Sequence, residues 1–123
     1  MRPSPAHGSR WLIDVATLDA AMRDGRRPHV AVVMDVATRR IITSQVGSDR
    51  ELAVMTALRT AVRGSGAPEL IYVDSGCPLP AKALADLGIR VEVMGALQAA
   101  CRMGPIERYF NSLRVTLGIG GAA

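Results

Sequence analysis

The stretch VAVVMDVATRRIITSQV, residues 30–46, decides the fold class of this chain. Two apolar runs rich in β-branched residues, 30–34 and 41–46, lie on either side of the polar segment 35–40, whose composition is typical of a turn. The pattern predicts two strands joined as a β-hairpin. Such aliphatic runs must also supply most of the core, since the chain has only one Trp, two Tyr and one Phe.

A helix start follows the hairpin at SDRE, residues 48–51. In this capping box the Ser48 hydroxyl and the Glu51 carboxylate would accept hydrogen bonds from backbone N–H groups of the first turn. Four apolar residues then recur at the helical period: Leu52, Met55, Leu58 and Val62. We expect a helix from residue 49 to about residue 63, with this face buried and Gly64 as its left-handed stop.

Strands and helices alternate in the rest of the chain. The apolar runs WLIDV (residues 11–15) and LIYV (70–73) and the alternating segment 89–93 predict three further strands, and residues 82–87 predict a short helix. A last helix is indicated by Pro105 at its first position and by an apolar stripe: Ile106, Phe110, Leu113 and Leu117. This order of elements predicts an α/β domain with five strands.

The length and composition fit one folded domain. The chain has 123 residues, of which 49% are hydrophobic, and this is enough for a packed core. Residues 1–9, rich in Pro, Ser and Gly, are expected to be a disordered lead-in or the remnant of a linker. We expect residues 10–118 to form the domain and residues 119–123 to be a tail.

Charge and cysteine content bear on the environment of the protein. The net charge is +4 and nearly all basic residues are arginine, which favours a polyanionic partner but equally fits a genome rich in G and C. Cys77 and Cys101 lack the spacing of a zinc or disulfide motif, and no apolar run approaches the roughly 18 residues of a membrane span. We therefore expect a cytoplasmic protein with no membrane partner.

Three acids occupy separate elements of this layout. Asp14 lies in the first strand, Asp74 directly follows the fourth strand, and Glu107 falls in the last helix. Converging carboxylates repel one another until a divalent cation neutralises them, and oxygen ligands suit Mg²⁺ or Mn²⁺. Each acid also has a structural interpretation: a satisfied buried acid for Asp14, a turn former for Asp74, and a favourable helix-dipole charge for Glu107.

Four blocks carry a resemblance to a known family: WLIDVATLD (residues 11–19), VVMDVATRRII (32–42), YVDSG (72–76) and GPIERYFNSL (104–113). In content and order they resemble the catalytic core shared by retroviral integrases and bacterial DDE transposases. The resemblance spans roughly residues 10–117. It implies a ribonuclease H-like α/β fold, a five-stranded mixed sheet flanked by helices.

The resemblance also implies an activity. Asp14, Asp74 and Glu107 would be the catalytic acids, binding two Mg²⁺ or Mn²⁺ ions for phosphodiester cleavage and strand transfer on DNA. Asn111 and Arg114 share a polar helix face with Glu107 and would contact DNA, although a solvated face also explains them. Members of the family work as multimers, so a homo-oligomer is implied, with the flanking DNA-binding domains outside this chain.

Other interpretations stay open at this point. Pro105 stands where many members of the family have lysine, and a catalytically silent fragment acting as a DNA-binding or dimerisation module is the main alternative. A nuclease that hydrolyses DNA without joining it would use the same acids. Asp35 follows the second strand at the start of the hairpin turn, so we interpret it as a turn former and not as a fourth metal ligand.

Overall fold

Five strands form one mixed sheet at the centre of the molecule. The computed structural model describes residues 9–17, 27–74, 76–94, 106 and 108. The strands are β1 (Arg10–Thr17), β2 (His29–Asp35), β3 (Ile41–Gly47), β4 (Leu70–Val73) and β5 (Arg90–Val93). Their order is β3-β2-β1-β4-β5; β1, β2 and β3 pair antiparallel, whereas β4 pairs parallel with β1 and with β5. The predicted five-stranded mixed sheet and its α/β class are confirmed.

The turn between β2 and β3 is closed by Asp35. Its Oδ2 atom accepts hydrogen bonds from the Thr38 backbone N–H at 2.8 Å and from the Thr38 hydroxyl at 2.7 Å. Arg39 follows with a positive φ of 60°, a conformation that reverses the chain tightly. The turn-forming role predicted for Asp35 is confirmed, because its carboxylate is turned onto its own loop.

Helix α1 (Arg50–Ser65) connects β3 to β4, and the short helix α2 (Ala81–Asp86) connects β4 to β5. The N-cap of α1 is Asp49, whose carboxylate accepts from the Leu52 backbone N–H at 2.7 Å. The prediction of Ser48 as the cap was therefore wrong by one residue; the Asp49 carboxylate satisfies an N–H of the first turn and also complements the positive end of the helix dipole. The helix also continues past Gly64 and stops at Gly66, whose φ is 80°.

The buried face of α1 differs from the predicted one. It is made largely of small residues: Ala53, Val54, Ala57, Leu58 and Ala61. Leu52, predicted to be buried, is 50% exposed. The helix lies too close to the sheet for larger side chains, and Gly47 shows this directly, since a Cβ atom there would lie 2.6 Å from the Ala53 backbone nitrogen.

Alternation along the strands divides the core into two clusters on the two faces of the sheet. The first cluster joins the sheet to α1 and α2 through residues that include Trp11, Ile13 and Val54. The second cluster contains eight buried residues: Leu12, Val30, Val32, Met34, Leu70, Tyr72, Met94 and Ile106. Ile106 is helical and fully buried, so the predicted last helix packs on the second face at this residue. The rest of that predicted helix, apart from Arg108, lies outside the described residues.

Candidate active site

The parallel pairing of β1 with β4 brings two of the predicted acids to the same end of the sheet. The pairing ends where Leu12 lies opposite Tyr72, and Asp14 and Asp74 each follow two residues beyond this pair in the same chain direction. Both acids are half-buried. Alternation places Asp14 on the same face as Leu12, which belongs to the second cluster. The sheet therefore places two acidic residues near the end of β4, and the charges of both act on the Cys77 thiol.

The chain turns sharply after Asp74. The Asp74 Oδ1 atom accepts a hydrogen bond from the Gly76 backbone N–H at 2.9 Å, and the Asp74 carbonyl accepts from the Cys77 N–H at 3.2 Å. Asp74 is thus a turn former, as its structural interpretation predicts. This role is compatible with metal binding, because the hydrogen bond from Gly76 engages one lone pair of a carboxylate that has about four acceptor sites.

Arg50, the first residue of α1, reaches this turn from another part of the chain. Its Nη2 atom donates a hydrogen bond to the Gly76 carbonyl at 3.1 Å. Sequence reasoning missed Arg50, because the residue follows a helix cap and carries no local signal of a contact 26 positions away. The contact exists only once α1 is packed on the sheet.

The pKa of the Cys77 thiol reflects the charges around this turn. This pKa is raised to about 12; burial is the main cause, and the negative charges of Asp74 and Asp14 contribute to the same increase. The Arg50 guanidinium opposes this increase. The thiol thus experiences the charges of both acids and of Arg50, so these groups share one neighbourhood. Sequence reasoning considered Cys77 only for zinc and disulfide spacing and did not place it here.

The oxygen atoms of Asp14 and Asp74 are of the type that a hard divalent cation prefers as ligands. Asp14 and Asp74 offer carboxylate oxygens, which Mg²⁺ and Mn²⁺ prefer, and two adjacent like charges are stabilised by a cation between them. Within the part of the chain that the structure describes, no group of three or more His, Cys, Asp or Glu residues is arranged to hold a metal ion. Glu107, the third predicted acid, and the predicted DNA contacts Asn111 and Arg114 lie outside the described residues.

The sheet order and the crossover helices define an α/β core with a ribonuclease H-like fold. No protein-family model and no curated protein matches the chain. Solved structures do match: a chain of the simian T-cell lymphotropic virus intasome in complex with PP2A regulatory subunit B56 gamma aligns over 94% of this chain with a TM-score of 0.69 and 17% identity. This chain spans 41% of that intasome chain.

Two structures of the HTLV-2 integrase catalytic core domain in complex with magnesium also match. The trimeric form aligns over 94% of this chain and 76% of its own length, with a TM-score of 0.60 and 14% identity. The dimeric form aligns over 88% of this chain and 67% of its own length, with a TM-score of 0.60 and 15% identity. This protein therefore has the fold of retroviral integrase catalytic cores, and the resemblance predicted from its sequence blocks is confirmed at the level of fold.

Proposed function

We propose that this chain is the catalytic core of a DNA transposase or integrase that performs divalent-metal-dependent phosphodiester cleavage and strand transfer. The observation that carries the proposal is that Asp14 and Asp74 lie at the same end of the parallel β1–β4 pair of an integrase-like fold and both act on the Cys77 thiol. Carboxylate oxygens are the ligands that Mg²⁺ and Mn²⁺ prefer, and a divalent cation would offset the repulsion between the two acids.

Asp14, Asp74 and Glu107 would hold two Mg²⁺ or Mn²⁺ ions in this proposal. Ions bound there would supply the activation of a water or DNA 3′-hydroxyl and the stabilisation of the leaving oxygen. Strand β1 positions the backbone of Asp14, and the Gly76 hydrogen bond orients the Asp74 carboxylate before substrate arrives. The magnesium in the HTLV-2 core structures supports this choice of metal. The buried Ile106, next to Glu107 in sequence, supports a third acid near the second face of the sheet.

The partners follow from the same proposal. DNA would be contacted by Asn111 and Arg114, and the chain would act as a homo-oligomer with flanking DNA-binding domains outside it. The trimeric and dimeric HTLV-2 forms and the simian intasome support assembly with further copies. No helix in the described residues is long and apolar enough to cross a membrane. We place the activity in the cytoplasm.

The test compares Asp74→Asn with a control that makes the same chemical change elsewhere. Asparagine keeps an oxygen that can accept from the Gly76 N–H but removes the charge, so the turn should persist while metal binding fails. The control is Asp86→Asn, which makes the same change at an exposed residue of α2. With a short DNA duplex and Mn²⁺, we expect nicked and joined products from the wild type and from Asp86→Asn, and at least a ~100-fold loss in Asp74→Asn.

Each other result selects a different function. Full activity in Asp74→Asn would exclude the proposed site. Cleavage without joined products would favour a nuclease. Wild-type protein that binds the duplex and unfolds cooperatively, yet yields no product with Mn²⁺, would favour the silent DNA-binding or dimerisation module.

A further inference from the structure

Arg50 stands at an unfavourable place for a cation. It is the first residue of α1, where the N-terminal end of the helix dipole is positive and where acidic side chains are preferred. Asp49 and Glu51 on either side of it follow that preference. Helix stability therefore gives no reason for an arginine at this position, and the reason must lie in what its side chain contacts.

The contact is the turn that carries Asp74. The Arg50 Nη2 atom donates to the Gly76 carbonyl at 3.1 Å, while the N–H of the same glycine donates to Asp74 Oδ1 at 2.9 Å. Gly76 is therefore held at both its polar groups, by the guanidinium on one side and by the carboxylate on the other. Arg50 acts on Asp74 through this residue without touching its carboxylate.

The two ends of this connection differ in rigidity. Helix α1 is anchored on the sheet by its buried alanine-rich face, whereas the segment 76–80 has no regular secondary structure and leaves Gly76 exposed. The hydrogen bond from Arg50 links the packed helix to this segment, and through Gly76 it restrains the Asp74 side chain. Metal affinity depends strongly on such support of the ligands by a second layer of hydrogen bonds.

We propose that Arg50 is a positioning residue that holds the Asp74 carboxylate in its metal-binding orientation through Gly76. The inference rests on the proposed function, because it assigns a task to Arg50 at that site. A simple charge effect predicts the opposite outcome: the positive field of Arg50 reaches this neighbourhood, as the Cys77 thiol shows, so removing that charge should strengthen cation binding. Positioning predicts weaker binding. An increase or a decrease in cation affinity on removal of Arg50 therefore distinguishes the charge effect from positioning.

The test measures Mn²⁺ affinity by calorimetry on the full chain, comparing wild type with Arg50→Ala, Arg50→Lys and Arg59→Ala. Arg59 is exposed on the same helix, so its variant removes the same charge from α1 without the Gly76 contact. We expect about a tenfold weaker affinity for Arg50→Ala. Arg50→Lys should recover part of the loss, and Arg59→Ala should bind as wild type. Unchanged or tighter binding in Arg50→Ala would overturn the proposal.

A second readout needs neither metal nor activity. Because Gly76 N–H is bonded to Asp74, its hydrogen exchange reports the order of the turn in the metal-free protein. Arg50→Ala should accelerate this exchange and Arg59→Ala should not; equal rates in the two variants would show that Arg50 does not hold the turn. If the wild type binds no Mn²⁺, the proposed function fails, while the exchange rates still decide whether Arg50 orders Asp74.

Discussion

Two aspartates of this chain lie at the ends of strands, and their hydrogen bonds separate their roles. The Oδ2 atom of Asp35 accepts from both the N–H and the hydroxyl of Thr38, so its carboxylate serves the hairpin turn. Asp74 accepts from the Gly76 N–H through Oδ1 and lies at the same end of the β1–β4 pair as Asp14. Residue type and local sequence are alike in the two cases. The partner strand makes the difference.

Cys77 provides a residue-scale prediction, because its thiol responds to the charges of Asp74 and Asp14. With a pKa of about 12, the thiolate fraction at pH 8 is about one in ten thousand. In a Cys101→Ser variant, we expect slow alkylation of Cys77 by iodoacetamide whose rate still rises at about pH 11. Asp74→Asn removes one of the charges that raise the pKa and should speed the reaction. A rate that levels off near pH 9 would contradict this assignment.

The same shift has a consequence for stability. The pKa of Cys77 is higher in the folded protein than its ordinary value of 9.0, so the protonated thiol favours the folded state. This contribution is complete below about pH 9 and is lost as the pH rises from 9 towards 12. The Cys77→Ala variant should lack this part of the alkaline destabilisation.

At the scale of elements, the close contact between β3 and α1 requires residues with very small side chains or none. Gly47 ends β3 and lies against the backbone of Ala53, in a helix whose buried face is rich in alanine. Small residues on both sides allow the closest approach, and the burial of Ala53, Ala57 and Ala61 follows from it. The periodic interpretation correctly placed Leu58 in the core and Val62 against it, but it favours the largest apolar side chains and therefore included the exposed Leu52 and missed the alanines.

A pair of glycine variants tests this packing. In Gly47→Ala the new Cβ would lie 2.6 Å from the Ala53 nitrogen, a contact that only a backbone shift can relieve, so we expect a loss of about 1–3 kcal/mol in the free energy of unfolding. Gly64→Ala makes the same change within α1, where nothing lies within 4 Å of the new atom, and should stabilise the protein by about 0.5–1 kcal/mol. Urea unfolding measures both. Equal effects of the two changes would show that β3 and α1 are not in close contact.

At the scale of the whole molecule, the sheet buries both of its faces. Helices α1 and α2 cover the first cluster, and on the second face Ile106 joins residues from β1, β2 and β4. Ile106 lies far along the chain from these strands, so its burial ties a C-terminal part of the protein to the sheet. If Glu107 is the third acid, the integrity of the site depends on the same attachment.

Truncation of Ile106 tests this attachment. Ile106 is fully buried, so Ile106→Ala should lower the free energy of unfolding by about 2–5 kcal/mol. Val46→Ala is the control: Val46 is 59% exposed on β3, and its change should stay within about 0.5 kcal/mol. Thermal or urea unfolding followed by circular dichroism gives both values. A loss for Ile106→Ala as small as that of the control would mean that the C-terminal segment does not contribute to the core.

The sequence by itself determined the features that depend on neighbours along the chain. Runs of β-branched residues predicted β2 and β3, Asp35 predicted their turn, and residues 48–51 predicted a helix start to within one residue of Asp49. These are short-range effects: backbone propensity, turn chemistry and capping act over a few residues. The sequence blocks also predicted the ribonuclease H-like fold, which the sheet order confirms.

Only the tertiary structure decided which distant groups meet. The parallel pairing of β1 with β4 brings Asp14 and Asp74 to the same end of the sheet, and the packing of α1 on the sheet brings Arg50 to Gly76 and buries the alanines of α1. Cys77 acquires its raised pKa from the same assembly. Local propensity does not predict these contacts, because burial and charge interactions depend on distances through space between segments that are far apart in the chain.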